Sequence, residues 1–144
     1  MRATVITDAS FCNHTRAAGW AAWIAADHHE RIQRSGVFQT SPPTSAVAEL
    51  WAAYNGIAIA YQKGARRILI QSDCVIVATA LRKPNGKHGF AKFRDEYLPG
   101  LENIEYRHVK GHTSLSGSRF YVNRWCDLNA KVHMKRQRAE LKGK

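Results

Sequence analysis

The spacing of hydrophobic and polar positions changes several times along the chain, and each change predicts a new element. Short β-branched and apolar runs joined by polar turns occupy residues 2–11, 19–26 and about 31–39. Runs of this length and type predict three strands in an antiparallel meander. Similar runs at 67–73 and 104–109 predict two more strands. The fourth strand follows a helical segment, so we expect it to run parallel to the first through a crossover.

Helical spacing lies between and after these runs. Following a Ser-Pro-Pro breaker, apolar residues recur at steps of three and four until Lys63–Gly64, a typical helix stop. The residues expected to form the buried face of this helix are Val47, Leu50, Tyr54, Ile57, Ala58 and Tyr61. Further helices are expected over 75–81, 90–97 and 122 to about 141. Residues 110–121, which are rich in Gly, Ser and Thr, predict a mobile loop.

Length and composition narrow the class of protein. A chain of 144 residues with 44% hydrophobic and 23% charged residues is expected to form one domain over residues 1–144. No apolar run approaches the length of a bilayer crossing and no signal-peptide pattern is present, so no membrane partner is expected. Cys12, Cys74 and Cys126 form no CxxC pair, which favours a reducing, cytoplasmic setting in which the cysteines are mostly buried apolar residues.

The balance of charge is the unusual part of the composition. Twenty-two Lys and Arg against eleven Asp and Glu give a formal net charge of +11. Such a field attracts polyanions, above all nucleic acid, although a basic balance also serves solubility. The cations are dense in a loop over residues 82–94 and in a C-terminal helical tail over about 131–144.

Four acidic residues are candidates for a shared site. Asp8 lies on the first strand and Asp73 at the end of the fourth, so parallel neighbouring strands would bring them to one edge of the sheet. Glu49 is expected in the first turn of the first long helix. Asp127 follows Asn123 by four residues, and the two therefore share a helical face.

Clustered carboxylates repel one another and need protons or cations to neutralise them. Mg²⁺ and Mn²⁺ suit a site of oxygen ligands without thiolates. Two such ions, about 3.5–4 Å apart, can support an in-line displacement at phosphorus. With the basic balance of the chain, this favours phosphodiester hydrolysis. For any one acid taken alone, a structural role satisfied by backbone donors is the simpler interpretation.

Five short motifs occur in order over nearly the whole chain: Thr7-Asp8-Ala9-Ser10, Ala48-Glu49-Leu50, Gln71-Ser72-Asp73, Val109-Lys110-Gly111-His112 and Asn123-Arg124-Trp125-Cys126-Asp127-Leu128-Asn129-Ala130. Together they resemble the type 1 ribonuclease H family. The resemblance implies an α/β fold whose five-stranded mixed sheet has three antiparallel strands plus two parallel ones, flanked by helices. It also implies Mg²⁺-dependent cleavage of the RNA strand in RNA–DNA hybrids, leaving 3′-hydroxyl and 5′-phosphate ends.

The resemblance also implies roles for individual residues. Asp8 would be shared by two Mg²⁺ ions, with Mn²⁺ as a substitute. Asp127 would help hold the ion that activates water, while Glu49 and Asp73 would hold the other. His112 would assist proton transfer or product departure, as a neutral imidazole can. Positions that match sugar or phosphate contacts of the family more loosely are Ser10, Asn13, Thr44 and Asn123. A monomer is expected.

The chain departs from the family pattern in places. Ser45–Ala46 and Cys74–Val75 stand where polar pairs are common, and the segment from Leu81 to Tyr97 is too short for the long basic extension of some relatives. We expect the 82–94 loop or the 131–144 tail to replace that extension. Two alternatives stay open: a non-catalytic nucleic-acid-binding module of the same fold, and a DNA-directed nuclease of transposase or junction-resolving type.

Overall fold

A computed structural model describes residues 1–27, 29–108 and 118–143, without the side chains of residues 118–120. The elements, in order, are β1 (Arg2–Phe11), β2 (Ala18–Ala26), β3 (Ile32–Val37), α1 (Ser45–Gln62), β4 (Arg67–Ser72), α2 (Val75–Arg82), α3 (Phe90–Tyr97), β5 (Asn103–His108) and α4 (Ser118–Lys142). Every element predicted from the sequence is present in the predicted order. Among the described residues, no helix has both the length and the apolar character that a membrane crossing needs.

The predicted start of the last helix is wrong by about one turn. The last helix begins at Ser118 and not at Val122, so the end of the expected 110–121 loop is helical. An edge-to-face contact between Tyr121 and Trp23, with ring centroids 5.8 Å apart, holds the first turn of α4 against the sheet. The sequence shows only the Gly- and Ser-rich composition of the segment and not this contact with β2.

The five strands form one mixed sheet in the order β3-β2-β1-β4-β5. β1 pairs antiparallel with β2, which pairs antiparallel with β3, while β1–β4 and β4–β5 are parallel. This confirms the predicted mixture of three antiparallel strands plus two parallel ones. In the β1–β4 register Ile6 lies opposite Gln71. Asp8 and Asp73 therefore lie two residues further along their chains, at the same edge of the sheet.

α1 covers one face of the sheet and packs through small residues. Its N-terminus is capped by Thr44, whose Oγ1 accepts a hydrogen bond of 3.1 Å from the Val47 amide. A Cβ added to Gly56 would lie 2.6 Å from Val5 Cγ1, so the helix approaches β1 closely. The buried residues of α1 are Val47, Ala48, Leu50, Ala52, Ala53, Gly56, Ile57 and Ala60. The expected buried face was therefore partly wrong, because Tyr54, Ala58 and Tyr61 are only half-buried at the sides of this close contact.

α4 packs on the opposite face of the sheet. Val5 and Thr7 lie beneath α1, whereas the alternate residue Ile6 packs with the buried residues of α4. The Cys126 thiol lies 3.6 Å from the Ile6 carbonyl oxygen, and Gln137 Oε1 accepts a 2.8 Å hydrogen bond from the Ala18 amide. α4 therefore runs alongside β1, from its middle past its C-terminal end. Its second half flanks the edge of the sheet that carries Asp8 and Asp73.

Candidate metal centre

Three carboxylates from separate elements meet at this edge of the sheet. Asp8 lies on β1, Glu49 on α1 and Asp73 immediately after β4, and each offers an oxygen within 4.8 Å of the other two. Asp8 and Glu49 are partly buried and Asp73 is exposed. Parallel pairing of β1 with β4 accounts for the two aspartates, and the close packing of α1 on β1 brings in the glutamate.

The predicted place of Glu49 within α1 is wrong. Because the helix begins at Ser45, Glu49 is its fifth residue and lies in the second turn, not the first. From there its Oε1 accepts a 3.3 Å hydrogen bond from the Ala9 amide on β1. In the first turn, the positive end of the helix dipole would stabilise the negative charge of Glu49. In the second turn this stabilisation is weaker.

The cluster has too few hydrogen-bond donors for its oxygens. The Ala9 amide donates both to Asp8 Oδ1, at 2.9 Å, and to Glu49 Oε1. Within the described part of the chain, the buried Glu49 Oε2 has no hydrogen-bond partner. A buried carboxylate oxygen without a donor is costly unless a proton or a cation satisfies it.

The electrostatics of the cluster point the same way. Burial raises the pKa of Asp8, and the negative charges of Asp127 and Asp73 raise it further, while a hydrogen bond that the protonated Glu49 carboxyl group donates to Asp8 opposes them. Burial also raises the pKa of Glu49, and the charge of Asp8 adds to this effect. Both carboxyl groups thus favour protonation near neutral pH when no cation is present. A divalent cation would hold them ionised.

The donor set suits a hard cation. Three carboxylates supply oxygen ligands only, as Mg²⁺ and Mn²⁺ prefer. The neighbouring cysteines are poor alternatives, because burial raises the thiol pKa of both Cys74 and Cys126 and so keeps them protonated. The residues present therefore fit a divalent ion bound by Asp8, Glu49 and Asp73.

Asp127, the fourth predicted carboxylate, lies beside this group without being part of it. Its charge acts on Asp8, but its Oδ2 accepts a 3.1 Å hydrogen bond from the ammonium of Lys131, one helical turn further along α4. The structure thus brings three of the predicted acids together and pairs the fourth with a cation. Sequence reasoning missed Lys131, although its spacing of four residues from Asp127 on a helix was a signal for this contact.

The remaining predicted site residues are the four proposed substrate contacts and His112. Ser10 is on β1 two residues after Asp8, Asn13 is exposed in the turn after β1, and Asn123 lies one helical turn before Asp127. Thr44 is exposed and caps α1, a structural role that its sequence position did not distinguish from substrate contact. His112 lies outside the described residues. Contacts of these residues with a substrate stay predictions.

A family model described as reverse transcriptase-like matches residues 7–109, which include Asp8, Glu49 and Asp73. No curated protein sequence matches the chain.

Several solved structures share the arrangement of strands and helices. The N-terminal RNase H domain of Rv2228c from Mycobacterium tuberculosis, solved as a fusion with maltose binding protein, has a TM-score of 0.72 and 18% identity, covering 96% of this chain and 97% of that one. RNase H1 from the halophilic archaeon Halobacterium salinarum NRC-1 has a TM-score of 0.69 and 16% identity, with coverage of 94% and 98%. LC11-RNase H1 in complex with an RNA/DNA hybrid has a TM-score of 0.65 and 16% identity, with the same two coverages. At these identities the likeness shows the fold, which is the ribonuclease H-like fold that the resemblance implied.

Proposed function

The chain belongs to the reverse transcriptase-like family, and from that premise we propose that it is a metal-dependent endonuclease of ribonuclease H type. Its proposed reaction is hydrolysis of the RNA strand in RNA–DNA hybrids, giving 5′-phosphate and 3′-hydroxyl ends. The observation that carries the proposal is the meeting of Asp8, Glu49 and Asp73 within 4.8 Å of one another. The structure of LC11-RNase H1 with an RNA/DNA hybrid, which has the same fold, supports the class of substrate.

Mg²⁺ is the proposed cofactor, as two ions, with Mn²⁺ as a substitute. Asp8, Glu49 and Asp73 would hold the cation charge, and their unsatisfied oxygens and raised pKa values favour its binding. The chemistry that such ions supply is activation of water and neutralisation of charge that develops on the phosphate. Asp127 would join this set once its carboxylate exchanges the Lys131 ammonium for a metal ion.

The remaining proposed roles belong to the protein's own polar side chains. Ser10, Asn13, Thr44 and Asn123 would bind sugar and phosphate, and recognition of the RNA strand would depend on its 2′-hydroxyl groups. His112 would move a proton near the scissile phosphate or assist product departure. We also propose that residues 1–144 act as one domain, as a monomer, in a cytoplasmic and reducing compartment.

Replacing Asp8 by Asn tests the proposal. The amide keeps the size of the side chain but removes the charge at the centre of the cluster, so hybrid cleavage should be abolished while folding and hybrid binding persist. The matched control is Asp95→Asn on α3, where the carboxylate is exposed and its side-chain neighbour is Arg94. Cleavage should persist in that variant, since Asp95 is not part of the cluster.

The assay is a gel with labelled RNA–DNA hybrid, duplex DNA and duplex RNA, each in Mg²⁺, in Mn²⁺ and in EDTA. The proposal requires cleavage of the hybrid's RNA strand that EDTA stops and that either ion restores. Undiminished turnover by Asp8→Asn would refute the site. Preference for duplex DNA would indicate a DNA-directed nuclease, and binding without cleavage in every metal condition would indicate a non-catalytic module.

A further inference from the structure

Four cations recur along one side of α4, and we call them the α4 cation row: Lys131, Lys135, Arg138 and Lys142. Their steps of four, three and four residues place them within an arc of about 60° on a helix of 3.6 residues per turn. At about 1.5 Å per residue the row is roughly 16 Å long. Lys131, Lys135 and Lys142 are exposed and Arg138 is half-buried.

The row begins at the metal centre and continues along the same edge of the sheet. Lys131 Nζ lies 3.1 Å from Asp127 Oδ2, which places the start of the row beside the carboxylates. Six residues later Gln137, the neighbour of Arg138 in the chain, accepts a 2.8 Å hydrogen bond from the Ala18 amide, at the end of the turn that follows β1. That turn also carries Arg16 as an exposed cation. The row therefore passes from the acids over the end of β1.

The positive charge of the row is not balanced locally. Of the row, only Lys131 forms an ion pair with another described residue. Glu140 is the one acid in the second half of α4, and it falls roughly 170° around the helix from the centre of the row. A solvated helix commonly pairs such cations with acids four residues away, and in this row only Lys131 has such a partner among the described residues. Unpaired charge of one sign attracts a polyanion.

The other basic segment of the chain is less well placed. It begins where α2 ends, and α2 extends eight residues from the neighbourhood of Asp73, a length of about 12 Å. Arg94 in that segment is already paired with Asp95, at 3.2 Å. The α4 row starts in direct contact with one of the predicted carboxylates and has three cations free of ion pairs among the described residues.

We propose that the α4 cation row binds the phosphate backbone of the nucleic acid that occupies the metal centre. Lys135 and Arg138 would contact phosphates beyond the scissile position, with Lys142 extending the contact outward. Such contacts position a substrate without reading its sequence. The inference rests on the proposed function for the identity of the nucleic acid, an RNA–DNA hybrid, whereas the phosphate contact itself rests on the placement of the row.

The test is the salt dependence of hybrid binding by Lys135→Gln/Arg138→Gln. An Asp8→Asn background prevents cleavage, and fluorescence anisotropy with a labelled hybrid gives affinity between about 50 and 200 mM KCl. Each lost phosphate contact should lower the salt slope by about 0.9, so the double variant should lose about 1.8. Over that salt range its affinity should fall about tenfold less than that of the protein with an intact row.

A matched control separates contact from net charge. Arg136→Gln/Lys63→Gln also removes two cations, but Arg136 lies on another side of α4, beside His133, and Lys63 follows the end of α1 remote from Glu49. The slope of this control should be unchanged. The charge-keeping variant Lys135→Arg/Arg138→Lys should keep the original slope as well, and circular dichroism melts confirm that each variant is folded.

Each outcome decides the matter. Equal loss of slope in both charge-removing pairs would show a diffuse field and overturn the proposal, and so would no loss in either. If the protein cleaves the hybrid but Lys135→Gln/Arg138→Gln leaves the salt slope unchanged, this inference is overturned and the proposed function stands. If the protein never cleaves, but the salt slope falls in Lys135→Gln/Arg138→Gln and not in the control pair, the phosphate contact is supported and the nuclease function is refuted.

Discussion

Replacing Glu49 by Gln is expected to stabilise the metal-free protein at alkaline pH and to remove most of its response to Mg²⁺. Burial, reinforced by the charge of Asp8, raises the pKa of Glu49 to about 9. The folded protein therefore holds this proton more tightly than the unfolded chain, where the pKa is about 4.3. Its free energy of unfolding should fall as the pH rises above about 4 and continue to fall until about 9. Gln does not ionise, so the Glu49→Gln variant lacks this loss of stability with rising pH.

The distances set the size of the effect. The carboxylate oxygens lie within 4.8 Å of one another, and two unit charges at that upper limit repel by about 3.5 kcal/mol at an effective dielectric constant of about 20. Proton uptake relieves part of this repulsion, so at pH 8.5 we expect Glu49→Gln to gain about 1–3 kcal/mol. For a chain of this length, a gain of about 2 kcal/mol raises Tm by roughly 4–8 °C.

Thermal unfolding, followed by circular dichroism at pH 5 and 8.5, measures the change in stability that Glu49→Gln causes. In EDTA the wild type should be less stable at the higher pH, and Mg²⁺ at a hundred times its Kd should restore about 2.7 kcal/mol. Glu49→Gln should show a smaller loss with pH and a smaller gain with Mg²⁺. Glu96→Gln, which changes an exposed glutamate on α3, should behave as the wild type. A Glu49→Gln variant less stable than the wild type at pH 8.5, or equally stabilised by Mg²⁺, would refute this account of the cluster.

Two further predictions concern packing and thiol chemistry. A Cβ at Gly19 would overlap the Ala130 carbonyl oxygen, so Gly19→Ala should lose about 1–3 kcal/mol in urea unfolding as α4 is pushed outward. A Cβ at Gly36 would lie 3.5 Å from Trp20 Nε1, so Gly36→Ala should lose far less stability. Equal losses in the two variants would contradict this packing. Hydrogen bonds from Thr15 lower the pKa of the Cys12 thiol to about 6, whereas burial raises that of Cys126. Iodoacetamide at pH 7 should therefore label Cys12 well before Cys126 in a mass-spectrometric time course, and the reverse order would be inconsistent with these environments.

Much of the fold could be predicted from the chain because its signals are local. The strand and helix periods, the breaker before α1 and the Lys63–Gly64 stop each lie within a few residues. They predicted all the elements and their order. The crossover between β1 and β4 then predicted parallel pairing, which places Asp8 and Asp73 at one edge.

Other features could not be predicted, because they depend on how closely distant segments pack. The contact of Gly56 with β1 decides which residues of α1 are buried, and the first turn of α4 contacts β2 through Tyr121 and Trp23. The predicted first-turn position of Glu49 was wrong because the helix starts earlier than the periodic pattern alone indicates.

The sequence by itself determined the elements, the mixed topology and the acids worth considering, since these follow from residue type and short spacing. Only the tertiary structure decided that Asp8, Glu49 and Asp73 lie with carboxylate oxygens within 4.8 Å of one another. It also decided that Asp127 lies beside these three acids and outside their group, and that α4 extends past the end of β1. The physical reason is that the repulsion and burial of these carboxylates depend on distances between side chains that are 24 or more residues apart along the chain. The packing of the strands and helices sets those distances.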